Sequence, residues 1–555
     1  MYLRLKLLFL ALIITTKLWS QNHIISGLVY DANSLEPLSG VNILLAKNSG
    51  SFSDKNGNFK IQSPEKSLKI RFSFIGFETL DTLINIPQGK DGIYIKIALR
   101  ESAVGLEQVV VTAGRSAEQL RYVVSSIESV KPELIENKNT TNLRDIMDQI
   151  PSVHVTDGQV NIRGGAGWSY GAGSRAMVML DGLPMVSGDA SQVQWSFLPV
   201  DNIKSLELIK GASSVLYGSS ALNGVINIIT GSPENLDYHT KITVFSGIYD
   251  KPRRESLRWT NRTLFQSGLN FYHGFKKKEW TYVFGASALK DEGFRMNEPD
   301  ERIRVNAQVT YKPEKLKYWE FSLAGNVLQG KNGSFLIWES YDLGYTPRDS
   351  AFSNSNTTKW NIDPSIKYTK GQWLHQFKGR WFFTDNRIDD GDPSFDQSNS
   401  SSMAYGEYYS LWKSKNGNFK SHSGATYMYS FSNSPLFQGN HSTRNIAVFY
   451  QAEQKVKKSQ FTAGVRYENY WLDDYHEAKP VFRLGYSREM KYSGSLRASW
   501  GQGYRFPTIA ETFILTQAQG ISIFPNPDLR SESGWSAEIG YRQVFSLGGL
   551  KFLAD

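Results

Sequence analysis

At 555 residues and without a single cysteine, the chain is too long for one ordinary domain and can hold no disulfide, thiolate metal site or lipid-anchored N-terminal cysteine. Its formal charge of +9 is compatible with nucleic acid, anionic lipid or an anionic ligand, and singles out none of them. Mean hydropathy is −0.38 and, past the N-terminus, no run of about 18 apolar residues occurs, which excludes helical membrane spans and leaves β-barrels open.

Arg4 and Lys6 precede the apolar run from Leu7 to Ile14, and Leu18-Trp19-Ser20 closes the segment. A basic start, a short apolar centre and a small final residue describe a secretory signal peptide over residues 1–20, cleaved after Ser20. Its removal takes Arg4, Lys6 and Lys17 away and lowers the net charge from +9 to +6. Residues 21–100 carry a compact β pattern. Ile24-Ser26-Leu28-Tyr30, Val41-Ile43-Leu45 and Ile93-Ile95-Ile97 alternate, as do Lys69-Arg71-Ser73 with Ile70-Phe72-Phe74. Asp54-Lys55-Asn56-Gly57 has turn chemistry. Several strands in so short a stretch predict a small β-sandwich. It shows no His, Glu or metal spacing suited to peptidase chemistry.

Residues 101–114 form a linker containing Glu107, Gln108, Val109, Val110, Val111 and Thr112, a β-branched run able to pair as an edge strand. In residues 115–235, Asn142 can cap a helix whose Leu143, Ile146, Met147 and Ile150 share one face, ended by Pro151. Val153-Val155 and Val160-Ile162 read as short strands. They lead to a glycine-rich stretch from Arg163 to Gly173 that lacks the GKS/T ending and following helix of a phosphate loop, which argues against nucleotide binding. The run from Lys204 to Thr230 reads as strand, tight small-residue turn, short segment and second strand, punctuated by Gly211, Gly218 and Gly224. On pattern alone, any small α/β core fits it.

The wording says more. "KGASSVLYGSSALNGVINIIT" closely resembles the closing segment of the plug domain in TonB-dependent outer-membrane transporters, and the "IRG" step and Val178-Met179-Leu180-Asp181-Gly182 resemble earlier plug motifs. "SGLVYDANSLEPLSGVNILL", "SDKNGNFKI" and "IRFSFIGFET" resemble the carboxypeptidase-regulatory-like sandwich that commonly precedes plugs in Bacteroidetes-type bacteria. Between them, residues 107–112 resemble the TonB box, which a TonB-type periplasmic energy transducer captures by strand addition. The resemblance implies plug-motif roles for Arg163, Gly164, Asp181, Gly182, Glu207, Lys210, Gly211, Tyr217, Gly218, Gly224 and Asn227. Arg163, Asp181, Glu207 and Lys210 are the charges expected to pair with a barrel wall, since an unpaired charge in a filled lumen is costly. Trp168, Ser169, Tyr170 and Trp195 are expected to face a ligand.

From residue 236 onward the period is two. Ile303, Val305, Ala307 and Val309 alternate with Arg302, Arg304, Asn306 and Gln308; Trp280-Tyr282-Phe284, Trp373-His375-Phe377 and Phe461-Ala463-Val465 repeat the rhythm. Short turns near Lys277, Pro313, Lys370, Asn416, Lys457 and Glu489 alternate with long polar loops near 291–301, 330–359, 386–402 and 502–531, the signature of an outer-membrane barrel. The tally is about fifteen strands against the roughly ten-residue strand pattern. The stretches 501–511 and 526–529 resemble the later part of such barrels, and Arg505 in the first is a further ligand-facing candidate. Leu550 to Asp555 resembles a strand cut short, so a C-terminally truncated barrel is expected.

The fold expected is therefore mainly β: an N-terminal sandwich, an α/β plug and a partial antiparallel transmembrane β-barrel over 236–555. The implied function is TonB-dependent uptake across the outer membrane, with a ferric siderophore as small ligand and outer-membrane lipid as surroundings. Cobalamin, oligosaccharide or peptide import on the same fold, or an adhesin or enzyme on a barrel scaffold, stand as alternatives. No HExxH or GxSxG occurs and the histidines are scattered, so no catalytic, metal or cofactor site and no nucleic-acid partner is expected.

Overall fold

The computed structural model describes residues 23–32, 35–45, 50–65, 67–74, 77, 79–87, 92–100, 109–110, 115, 118–119, 123–130, 132–165, 172–233, 238–348, 352–389, 396–490, 494–518, 521–547 and 550–554. The expected signal peptide, Glu107, Gln108, Val111, Thr112, Trp168, Ser169 and Tyr170 lie outside the described residues. The chain divides into two compact units, residues 1–107 with 544–553, and residues 108–543 with 554–555.

The first unit is a sandwich. His23–Asp31 pairs antiparallel with Asn58–Ser63 and parallel with Gly92–Leu99, while Gly50–Phe52, Asn42–Leu45, Ser67–Ser73 and Leu80–Asn85 form the second sheet. Strict alternation in Ser67–Ser73 puts Leu68, Ile70 and Phe72 inside and Lys69 and Arg71 outside. The two inner faces meet over Ile25, Val29, Ile43, Ile70, Phe72 and Leu99, with Phe59 edge-on to Phe72 at 5.4 Å. The turn read at Asp54 forms because its Oδ1 accepts from the N–H groups of Asn56 (2.9 Å) and Asn58 (2.8 Å).

In the second unit, an α/β body centres on a sheet ordered Ser126–Val130, Ile203–Lys210, Gly224–Thr230, Ala176–Leu180, Leu183–Pro184. The two strands read around Gly211–Gly224 pair antiparallel, joined through the one-turn helix Ser214–Tyr217. Val153–Thr156 and Gln159–Ile162 make a hairpin. Asn142 Oδ1 accepts from the Arg144 N–H at 3.1 Å, as a cap does, but the helix is one turn only, Arg144–Met147, because the chain goes over to i→i−3 bonds (Gln149 N–H to Ile146 O, Ile150 N–H to Met147 O) and Ser152 turns left-handed after Pro151. Leu143, Ile146, Met147 and Ile150 are nevertheless all buried in the main cluster with Leu208, Ile226 and Phe197.

Fifteen strands from Tyr238–Ile248 to Leu550–Ala554 pair in sequence order, and the described ladders among them are antiparallel. Their inner faces touch the α/β body: Leu328, Phe382 and Met403 belong to its main apolar cluster. The strands outrun the sequence reading. Trp319–Ser334 and Ser353–Lys370 stay paired from Ser334↔Ser353 down, so the loop expected over 330–359 shrinks to 335–352. Beyond the apolar band both faces of a strand are polar, and no period marks the ladder there. On the same side, the connections 435–438 and 473–474 are short.

Gly224 (φ 153°) fixes how the two central strands of the α/β body meet, since a Cβ there would stand 2.3 Å from Ile209 O and 2.9 Å from Ile162 Cδ1. Gly224→Val is expected to destabilise this body by about 1–3 kcal/mol through overpacking. Hydrogen exchange of the Ile203–Lys210 and Gly224–Thr230 amides reads the effect, and unchanged protection would refute it.

Candidate ligand-binding site

The α/β body is fastened to the inner wall chiefly by wall arginines that reach its backbone. Arg380 donates to Leu183 O (3.2 Å) and Pro184 O (2.8 Å) while paired with Asp363. Arg304 donates to Leu198 O and to Asp201 Oδ1 (2.5 Å), and Arg483 to Ser125 Oγ. In the opposite sense Arg115 pairs with Glu407 of the wall (2.5 Å), donates to Leu216 O (2.5 Å) and lies 4.7 Å over the Tyr217 ring. These groups are nearly all buried, so each charge needs its partner.

At the long-loop end, the body and the wall leave a cavity of about 1170 Å³. Its floor is the tip of the α/β body, where Trp195 is held by Nε1–H donation to Gly158 O (2.6 Å). Arg302, Lys331 and Lys359 line it from the wall, and Phe294, Arg295 and Phe335 from the loops. The loop side is braced: Arg295 lies 4.5 Å over Phe335, Phe294 packs edge-on to Tyr345 at 5.2 Å, and Arg254 stacks 4.2 Å over Tyr341. With Arg144 the cavity has five cationic side chains against two carboxylates, Glu298 and Asp300. Those two are already used by Arg295 and Arg302. The Lys331 and Lys359 ammonium groups form no hydrogen bond or ion pair among the described residues. Such a site attracts an anion, and its aromatic rings offer flat apolar surface beside the charge. Among the described residues no group of three His, Asp or Glu could hold a metal ion.

Of the residues selected from sequence, Trp195 lines this cavity. Arg505 does not: it is buried with Glu511 (2.6 Å) and Glu532 (2.7 Å), and Arg175 joins the same network through Glu532. Arg163 meets Glu538 of the wall at 2.9 Å, whereas Lys210 turns to Glu128 (2.7 Å) and Pro151 O within the body. Glu207 is buried in its strand opposite Asn227. Asn227 Oδ1 accepts from the Gly182 N–H at 3.0 Å. The chain beside Gly211 touches the wall, the Ala212 N–H donating to Ser536 Oγ at 2.9 Å. A Cβ at Gly218 would stand 2.8 Å from Arg466 Nη2, so only glycine lets that wall arginine approach. Gly164 follows Arg163 in a left-handed turn. Val109–Val110 pairs antiparallel with Glu118–Gln119. Sequence reasoning missed Arg302 and Lys359 as cavity residues. The available signal for Arg302 was arginine alternating with the outward apolar row of its strand, Ile303, Val305 and Ala307.

Residues 250–555 match the family described as TonB dependent receptor-like, beta-barrel, residues 119–225 the TonB-dependent Receptor Plug Domain, and residues 25–111 the CarboxypepD_reg-like domain. The chain is 22% identical over 466 residues to the vitamin B12 transporter BtuB of Vibrio vulnificus (strain CMCP6), covering 80% of this chain and 68% of that one. It is 31% identical over 299 residues to the rhizobactin receptor of Rhizobium meliloti (strain 1021), covering 50% and 36%. Among solved structures it resembles the siderophore receptor PirA from Pseudomonas aeruginosa, with a TM-score of 0.58, 16% identity, and 75% and 71% of the two chains covered.

Asp181 supplies a pH test of the seam between body and wall. Its carboxylate accepts from the Thr230 N–H (2.9 Å) and hydroxyl (2.8 Å), and its carbonyl accepts from Lys378 Nζ (2.6 Å). Burial pushes its carboxyl above the usual value, and the Thr230 hydrogen bonds and the Lys378 and Arg380 charges offset only part of this. The folded state then binds the proton more tightly than the unfolded one. The associated stability is fully present below the ordinary carboxylate pKa and is lost as pH rises through the raised one. Asp181→Asn, tolerated at φ 53°, is expected to flatten that slope in thermal unfolding followed against pH. An unchanged slope would assign it to another group.

Proposed function

We propose, from the premise that this chain belongs to the TonB-dependent receptor family, that it takes up an anionic ferric siderophore across the outer membrane. The observation that carries this reading is the charge of the cavity, with five cations against two carboxylates that are already paired. A ferric chelate with net negative charge would be steered into the mouth and held against Trp195, with Lys331 and Lys359 free to donate to its oxygens. A neutral oligosaccharide gains nothing from such a site. The match to a vitamin B12 transporter over most of the chain makes cobalamin the second ligand to test.

Energy would enter from the periplasm, where a TonB-type transducer adds a strand to the segment around Val109–Val110. In the structure that segment already pairs with Glu118–Gln119, so it is extended and ready for a second partner. No catalytic step is part of this reading. Export by a signal peptide over residues 1–20, a sandwich over 21–100 serving as a periplasmic spacer, the linker 101–114, the plug 115–235 and the barrel 236–555 complete it.

Two measurements test the proposal. In equilibrium binding against a panel of ferric catecholates, ferric hydroxamates, cobalamin and neutral oligosaccharides, an anionic ferric chelate is expected to bind best. Lys359→Gln is expected to weaken it about tenfold or more, the loss of one charged hydrogen bond at about 1.5–3 kcal/mol. Preference for cobalamin, or indifference to Lys359→Gln, would overturn the siderophore reading. For coupling, Val110→Pro is expected to keep surface binding and lose uptake, because proline removes an N–H that strand addition needs. Transport at the parent rate by that variant would remove the segment from the mechanism.

A further inference from the structure

Beneath the cavity the wall changes character. Gly285, Asn306, Asn326 and Asn361 stand in register across four neighbouring strands. The three asparagines are 8%, 7% and 2% exposed, and Asn326 Nδ2 donates to Asn361 Oδ1 at 3.1 Å. Asn306 Nδ2, Asn326 Oδ1 and Asn361 Nδ2 find no hydrogen-bond partner among the described residues. One step nearer the short turns, wall bonds to wall: Gln308 Nε2 donates to Ser322 Oγ (3.3 Å), and Thr310 Oγ1 lies 3.1 Å from the same oxygen.

This sector lies, with the strands from Tyr238–Ile248 to Trp280–Asp291, in the part of the wall that gives the plug clusters the fewest apolar residues among those described. Of the strands Asp300–Tyr311, Trp319–Ser334 and Ser353–Lys370, only Leu328, which borders the cavity, enters an apolar cluster of the plug among the described residues. From Trp373–Asp389 to Ser495–Arg505 apolar side chains grip it: Phe382 and Met403 in the main cluster, Leu411 and Phe449 against Leu216, Tyr470 and Tyr504 against Val215. Below the cavity rim, the three polar strands reach the plug through Arg304, which meets Asp201 and Leu198 O. Even that contact is incompletely satisfied, since Arg304 Nε and Asp201 Oδ2 lack partners among the described residues. Parting the plug from this wall would expose polar groups, which gain hydrogen bonds from water or a ligand. Parting it from the strands between Trp373–Asp389 and Ser495–Arg505 would expose apolar surface.

We propose that a ligand taken from the cavity passes the plug along the inner face of these three strands, with Arg304 and Asp201 as the gate and the asparagine row as the first polar contacts below it. The proposal rests on the uptake reading. It concerns hydrophilic ligands generally, because an amide both donates and accepts.

A cysteine-free protein allows a clean test in cells. A Cβ at Gly285 would stand 2.8 Å from Asp201 Oδ2, and one at Gly211 would stand 3.9 Å from Ser536 Cβ, the separation a disulfide bridges, so each wall can be stapled separately. When oxidised, Asp201→Cys/Gly285→Cys is expected to bind a ferric siderophore at the surface as before but to lose uptake, which reductant restores. Oxidised Gly211→Cys/Ser536→Cys, on the far wall, is expected to transport as its reduced form does. Transport through the first staple, or an equal block by the second, would overturn the route. A parent protein that binds and transports none of the panel would instead sink the uptake reading itself. As a check that needs no staple, Asn326→Leu with Asn361→Leu is expected to slow uptake with surface affinity unchanged. Uptake at the parent rate in that variant would likewise overturn the route.

Discussion

A strand that crosses a bilayer must have its backbone N–H and C=O groups paired within the protein, and the antiparallel sheet that achieves this turns every second side chain away from the lipid. In this chain the inward row is rich in arginine: Arg304, Arg380, Arg466, Arg483 and Arg505 are each no more than 4% exposed. A buried guanidinium without a partner is among the costlier defects a fold can carry. The plug meets that demand for several of them. Leu183, Pro184 and Leu198 offer carbonyls, Asp201 a carboxylate and Ser125 a hydroxyl. Where the plug does not answer, the wall pairs with itself, as in Arg466 with Glu468 and Arg505 with Glu511. Plug and wall are therefore electrostatically interdependent, and neither would be well satisfied alone.

That dependence explains the plug's tight turns. To bring carbonyls against the wall, the chain must double back within a few residues, and it does so through left-handed positions at Asp181-Gly182 and at Gly218. Lys378 closes on the first of these and Arg466 on the second. The cavity above obeys the reverse logic. There the wall cations outnumber the carboxylates that could pair them, and lysines are left to a molecule that comes from outside.

The two-residue period made most of the barrel strands legible, and the strand–turn–strand run ending at Thr230 made the plug sheet legible, because both patterns are written in side-chain burial. Trp195 was legible as a tip residue. The cavity around it was not, since Arg302, Arg295 and Lys359 come together only through the register of three strands and the fold of a loop. Contacts made to carbonyls, such as Arg380 to Pro184, leave no trace in residue type on the plug side. The ladder between Trp319–Ser334 and Ser353–Lys370 was read as ending too early, because outside the apolar band neither face is hydrophobic. Arg505 was selected from a stretch that resembles the later part of such barrels, and nothing local in the sequence marks Glu532 as one of its partners.

The wall holds the plug by contacts that differ in kind and number from one sector to another. Each apolar side chain that leaves the plug core for water costs about 1.5–3 kcal/mol, and along the strands that carry Phe382, Met403, Phe449, Tyr470 and Tyr504 many would leave together. Along the strands that carry Asn306, Asn326 and Asn361 the plug is met instead by the charged hydrogen bonds of Arg304 to Asp201 and Leu198 O, about 1.5–3 kcal/mol each but few in number. A pull applied to the plug from its N-terminal side meets no symmetrical resistance. On the proposed route the contacts that yield first are the few polar ones under the basic cavity, whose parted surfaces water can solvate. Firm apolar packing on one side and under-satisfied polar contact on the other allow a filled lumen to part locally while most of the plug remains docked.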